Sequence, residues 1–175
     1  MKKGGCHLIL FGVESADENI LERINKRISL THIREAVRDA REIGIETRAS
    51  FMLGNPGETE ETVKKTINFA VELDPDEVQF NITTAYPGTE LYKWAKENGY
   101  LDIKDNKNFN MSDINMKLPT ISQETLNRYY KASHRMFYLR FKIILRRLLH
   151  IRSLTQLAQE VKGFFAILKF LKRPS

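Results

Sequence analysis

Cysteine is nearly absent from this chain: Cys6 is the single one among 175 residues. One thiol excludes an internal disulfide, and it excludes any cluster or zinc centre built from several cysteines of this sequence. The four histidines, His7, His32, His134 and His150, stand far apart at no ligand spacing, so no metal site is expected. Long apolar runs are also missing. The first, residues 8–13, is too short for a signal peptide or a membrane span. With the lone cysteine this makes a cytoplasmic location the expectation. Acid is missing from one end only. Residues 128–175 carry 12 Lys and Arg against a single acid, Glu160, for a net +11. Residues 1–127 carry 16 basic and 21 acidic residues, for −5. A basic segment of this kind is expected to face a neighbour of its own: an acidic protein surface, anionic lipid or nucleic acid.

What is present reads as alternating strands and helices. Residues 7–13, HLILFGV, form a continuous apolar run, as in a strand covered on both faces. Ser15 with Glu18 suggests a capping box for a helix to about Asn25. A second helix starts near Thr31, with Ile33, Ala36, Val37, Ala40 and Ile43 as its apolar stripe and Gly44 just beyond its end. Residues 45–53 read as the next strand. Thr59 caps a third helix that Asp74-Pro75 stops. Residues 77–83 form a third strand, and Thr89 caps a helix ending at Gly99. This order predicts an α/β fold with a parallel sheet of three β/α units over residues 1–100. An irregular connector follows over 101–121. A basic amphipathic helical extension occupies 122–175, with one long helix from Ser122 to about Leu149 and a final one ending near Leu171.

Each strand ends in a turn suited to binding. Gly12-Val13-Glu14-Ser15, Phe51-Met52-Leu53-Gly54-Asn55-Pro56-Gly57-Glu58-Thr59 and Thr84-Ala85-Tyr86-Pro87-Gly88-Thr89 all sit where a strand passes to a helix. In parallel α/β folds that edge is where ligands bind. Glu14 offers a charged acceptor for hydroxyl or amine groups, or else a helix cap. Lys26 reads on its own as a charge favoured by the helix dipole. Ser50 and Met52 share one face of their strand. Gly54 lets backbone approach a ligand, within what is equally a plain strand–turn–helix junction. Tyr86 offers a stacking ring, or else packs beneath its loop.

The wording and order of these three turns resemble the back half of the radical S-adenosylmethionine (SAM) enzymes, from the fourth to the sixth strand of an open six-stranded barrel. The cobalamin-binding subgroup is the most similar, since an FYLR…RR helix follows its barrel too. The resemblance implies a partial (β/α) barrel and a partial SAM pocket. Its residues would be Glu14, Ser15, Lys26, Ser50, Met52, Gly54, Ala85 and Tyr86, with the backbone near Ala85 meeting the adenine's polar edge. Relatives hold a [4Fe-4S] cluster on a CxxxCxxC motif and start radical chemistry by cleaving SAM. That motif is absent here, and Cys6 reads as a small buried hydrophobe. Family members of the subgroup also carry cobalamin. The chain is therefore expected to be the C-terminal portion of such an enzyme and inactive alone. Its missing N-terminal barrel half would come from the same gene or from a separate chain. The alternatives are a non-catalytic partner-binding module, or a peripheral protein held at the inner membrane face by its basic helices. Without a recognisable nucleic-acid motif, nucleic acid is an unlikely partner.

Overall fold

The computed structural model describes residues 1–102 and 115–149, and within the remainder only 157–158, 161–163, 165 and 169. Most of the final helix expected near Leu171, and residues 103–114 of the connector, lie outside the described residues. Three parallel strands, β1 (Leu8–Glu14), β2 (Glu46–Leu53) and β3 (Glu77–Ile82), lie in the order β1-β2-β3. Helices α1 (Glu18–Arg23) and α2 (Leu30–Glu42) join the first pair, and α3 (Glu60–Leu73) joins the second. Then come α4 (Glu90–Glu97), α5 (Gln123–Tyr138) and α6 (Phe141–Leu149). Among the described residues the sheet is open and does not close into a barrel.

Alternation along the strands separates two faces. Val13, Ala49, Phe51, Leu53, Val78, Phe80 and Ile82 are all buried beneath the helices. Val37 of α2, Val63, Ile67 and Ala70 of α3, and Phe137 of α5 complete that core. Phe51 and Phe80 stack at 5.6 Å between centroids, with Phe69 edge-on to Phe51 at 6.4 Å. The opposite face carries Leu8, Leu10 and Gly12 of β1, Arg48, Ser50 and Met52 of β2, and Glu77, Gln79 and Asn81 of β3. All of these are exposed or half-buried. The expectation that β1 is covered on both faces is therefore corrected: Leu10 is 60% exposed, because among the described residues no helix crosses this side.

Several helix boundaries follow the sequence. Thr59, Thr89 and Ser122 each cap the backbone N–H three residues on, and Gly44 takes φ 71° after α2. The second helix starts at Leu30, as expected near Thr31, with Ser29 as its cap. Two expectations need correction. The α1 cap is Asp17, whose carboxylate accepts from Asn19 and Ile20 N–H, so Ser15 and Glu18 form no capping box. The long helix from Ser122 is broken at Leu139–Arg140. There the Arg140 guanidinium donates to the carbonyls of Phe137 and Val71 and to the Asp74 carboxylate. The connector's second half is less irregular than expected: Leu101 bridges Met116, and Met116, Leu118 and Ile121 are buried.

Candidate functional site

Parallel strands bring their C-terminal ends to one edge, and the three signatures meet there. At β1 the pairing register shifts between Gly12 and Glu14, and Glu14 adopts a left-handed φ of 67°. That conformation is uncommon for a residue other than glycine and turns the carboxylate back over the strand. Lys26 lies 3.4 Å from Glu14 Oε1, and both groups hang over Gly12. A Cβ at Gly12 would lie 2.9 Å from Glu14 Oε1 and 3.2 Å from Lys26 Nζ, so a side chain there would push the pair out of this position. The structure thus brings Glu14 and Lys26 together on the open face. In strand register Ser50 stands between Gly12 and Gln79, and Met52 beside Asn81. One row further from the ligand edge, Arg48 donates to Glu77.

Ser15 lies elsewhere. It is fully buried, its hydroxyl shared with Thr66 at 3.2 Å and accepting from Asp17 N–H. Behind it Lys65 meets Asp17 at 2.9 Å. Burial pushes the Asp17 carboxyl up, but Lys65 and the α1 N–H groups outweigh it and hold it below its usual range.

The β2 turn is organised by Glu58, which the sequence shows only as one residue of the second turn signature. Its Oε2 accepts from the N–H of Gly54 and, at 3.0 Å, of Asn55. The Gly54 N–H is thereby committed inside the protein. Gly54 itself takes φ 90°, and Leu126 would meet any Cβ there at 2.7 Å. Asn55 accepts from the Thr83 hydroxyl at 2.9 Å, tying the ends of β2 and β3 together. Glu58 is fully buried, and its Oε1 has no hydrogen-bond partner among the described residues. Desolvation pushes this carboxyl up to about 7 despite the two N–H donors. At β3, Ala85 is buried and both its backbone groups are taken: its N–H donates to Asn115 Oδ1 at 2.9 Å, and its C=O accepts from Asn115 Nδ2 at 2.8 Å. Tyr86 is 37% exposed, on the solvent side of this turn. Asn55, Thr83 and Asn115 gave no local signal, because their roles lie in contacts 28 and 30 residues distant.

Cofactor fit divides. A [4Fe-4S] cluster does not fit: Cys6 precedes β1, at the sheet edge opposite Glu14, with its thiol directed to the Leu8 carbonyl. Among the described residues no group of three or more His, Cys, Asp or Glu is placed to hold a metal. An adenosyl amino acid does fit the chemistry of the open edge, which offers one carboxylate and one ammonium side by side above a glycine.

Residues 1–70 match the profile of the Radical SAM superfamily. An uncharacterized methyltransferase of Pyrococcus horikoshii is 40% identical over 146 residues, which is 83% of this chain and 32% of the relative. Bacteriochlorophyllide d C-8(2)-methyltransferase of Chlorobaculum tepidum is 28% identical over 180 residues, covering 97% of this chain and 39% of the relative. The chain thus spans between about a third and two fifths of the length of these two relatives. Among solved structures, coproporphyrinogen III oxidase of Escherichia coli, a radical SAM enzyme, superposes with a TM-score of 0.56 at 17% identity, covering 79% of this chain and 27% of that one. A three-stranded parallel wall of this kind, a profile match across its first two strands and a 40% identical relative place the chain in the radical SAM superfamily.

Proposed function

We propose that this chain supplies one wall of an S-adenosylmethionine pocket, with the cluster, and any corrinoid, held by polypeptide outside these 175 residues. The observation that carries the reading is the Glu14–Lys26 pair above Gly12 at the strand edge. The amino acid end of SAM bears an ammonium and a carboxylate. A half-exposed side-chain pair of opposite charge complements both, and charged groups make the stronger hydrogen bonds. Ser50 and Met52, on the same open face, would line the approach with Tyr86, and Ala85 would lie at its far end. The names of the relatives above point to methyl transfer as the reaction class of the whole protein.

Further strands would add at β1. On the other side of the sheet, the Tyr138 hydroxyl takes both backbone groups of Val78 and closes part of the β3 edge. At β1 the apolar Leu8 and Leu10 stay exposed beside an edge that no strand pairs among the described residues. This chain alone is proposed to be inactive, since Cys6 cannot hold a cluster unaided.

S-adenosylhomocysteine, which keeps the adenosyl and amino acid groups, tests the pocket by calorimetric titration. Glu14→Gln and Lys26→Met are each expected to weaken its binding about tenfold, the scale of one charged hydrogen bond. Unchanged affinity in both variants overturns the assignment. Anaerobic reconstitution with iron and sulfide should yield no SAM cleavage by the chain alone.

A further inference from the structure

At the end of β3 the backbone of one residue, Ala85, is engaged on both sides by a single side chain. Ala85 presents one N–H and one C=O, and a single side chain, Asn115, satisfies both at 2.9 and 2.8 Å. A carboxamide has an acceptor and a donor joined through one trigonal carbon. Adenine has the same arrangement along its N1 and 6-amino edge, so the two compete for the same backbone groups. Ala85 is fully buried with Asn115 in place. An adenine reading Ala85 must therefore displace the carboxamide.

We propose that Asn115 is a displaceable plug on the nucleobase-reading edge of Ala85, occupying it until an adenosyl ligand arrives. The inference rests on the pocket reading above. Its support is that the segment bearing Asn115 is held in place without the carboxamide. Asp102 N–H donates to Asn115 C=O at 2.9 Å, and Lys117 N–H to Tyr100 C=O at 2.7 Å. The Gln123 amide donates to Asp102 and to Met116 C=O, and Lys117 pairs with Asp102 at 3.0 Å. Met116 packs with Ala85 and Ala95. Rotation of one side chain therefore opens the edge and leaves the clip between residues 100–102 and 115–117 intact. The exchange is nearly balanced, two hydrogen bonds lost for two gained, so the plug lowers ligand affinity without blocking it. It also keeps the Ala85 groups satisfied when no ligand is bound, which a buried backbone requires.

The test titrates S-adenosylhomocysteine into the full 175-residue chain and its variants. Asn115→Ala is expected to bind about tenfold tighter than the parent, because the ligand no longer competes with the side chain. Asn115→Asp, which cannot donate to the Ala85 carbonyl, should shift in the same direction. In the parent, the Asn115 side-chain amide signal should move on ligand addition, and its hydrogens should exchange faster. Equal or weaker binding by both variants with their folds intact overturns the plug, as does ligand binding that leaves the Asn115 amide signal unmoved. The hypoxanthine counterpart, whose edge reverses donor and acceptor, separates this failure from that of the pocket. If it binds as well as the adenine form, the base edge is not read at Ala85 and the plug falls while the pocket stands; if neither binds parent or variants, the pocket reading falls and the plug with it.

Discussion

Single residues divide into those whose role is written locally and those whose role depends on distant contacts. Gly12 and Glu14 were readable at a strand end, and the left-handed Glu14 with Lys26 beside it gives that expectation its geometry. Ser15 misled because a serine before a helix resembles a cap. Asp17, two residues on, has the better reach to the N–H groups of Asn19 and Ile20, and Ser15 turns inward to Thr66. Glu58 was legible as an acid near a turn but not as a buried one. Its ordinary value is 4.5, and in the fold burial pushes it to about 7. Unfolded chains therefore lose this proton between those values while the folded chain keeps it. The sign follows: stability is full below pH 4.5 and is lost as pH rises toward 7. The loss is about 3 kcal/mol over that interval, since each unit of difference is worth roughly 1.4 kcal/mol. Glu58→Gln keeps an acceptor for Gly54 and Asn55 and has no proton to lose. Urea unfolding at pH 5, 6 and 7 should show the parent weakening across the series and the variant staying level. A parallel decline in both would assign the slope to other groups.

Elements were legible wherever a single residue decides them. The caps at Thr59, Thr89 and Ser122 and the left-handed glycine after α2 needed only local chemistry. The break between α5 and α6 was not legible, since Leu139 and Arg140 are ordinary helix formers. It is made by Arg140 reaching back to Val71 and Asp74, partners 69 and 66 residues away. One-sided covering of β1 was hidden for a similar reason: an apolar run shows that a strand prefers burial, not which neighbours are present. Tyr138 shows how α5 is tied to the sheet. Its hydroxyl accepts from Val78 N–H at 3.2 Å and donates to Val78 C=O, and burial pushes the phenol up. Tyr138→Phe keeps the ring against Phe137 and His134 but leaves two backbone groups without a partner. The expected cost is about 1–2 kcal/mol. Hydrogen exchange at Val78 should speed up accordingly, with β2 amides unaffected. Slow exchange at Val78 in the variant would show that this edge is closed by something else.

At the scale of the whole molecule, the split between a −5 body and a +11 tail was plain in the sequence, and in and between α5 and α6 several of the tail's cations turn back onto the protein's own acids. The turn between α3 and β3 carries Asp74, Asp76 and Glu77, and the basic residues of the α5–α6 corner converge on it. Arg140 reaches Asp74 at 3.0 Å, Lys142 at 2.8 Å and Arg146 at 2.5 Å, while Arg41 of α2 comes within 3.8 Å. Arg146 also meets Asp76, and Arg147 meets Glu77 at 3.6 Å. Burial works against the Asp74 carboxylate, but Lys142 and Arg146 prevail and hold it below its ordinary 3.8. Its contribution is therefore complete above that value and is lost as pH falls through the lower value in the fold, opposite in sign to Glu58. The charges that would hold α6 on an anionic membrane are thus engaged. Among the described residues no helix is long and apolar enough to cross one. Phe141, Leu148 and Leu149 nonetheless stay exposed on α6. Asp74→Asn keeps the shape and removes the charge. It should cost about 2 kcal/mol, less than a fully buried pair because Lys142 and Arg41 reach water. It should also raise binding to vesicles rich in anionic lipid, most of all at low salt, as the freed cations turn outward. Lower stability without a gain in vesicle binding would confine the basic corner to holding α6 against the barrel wall.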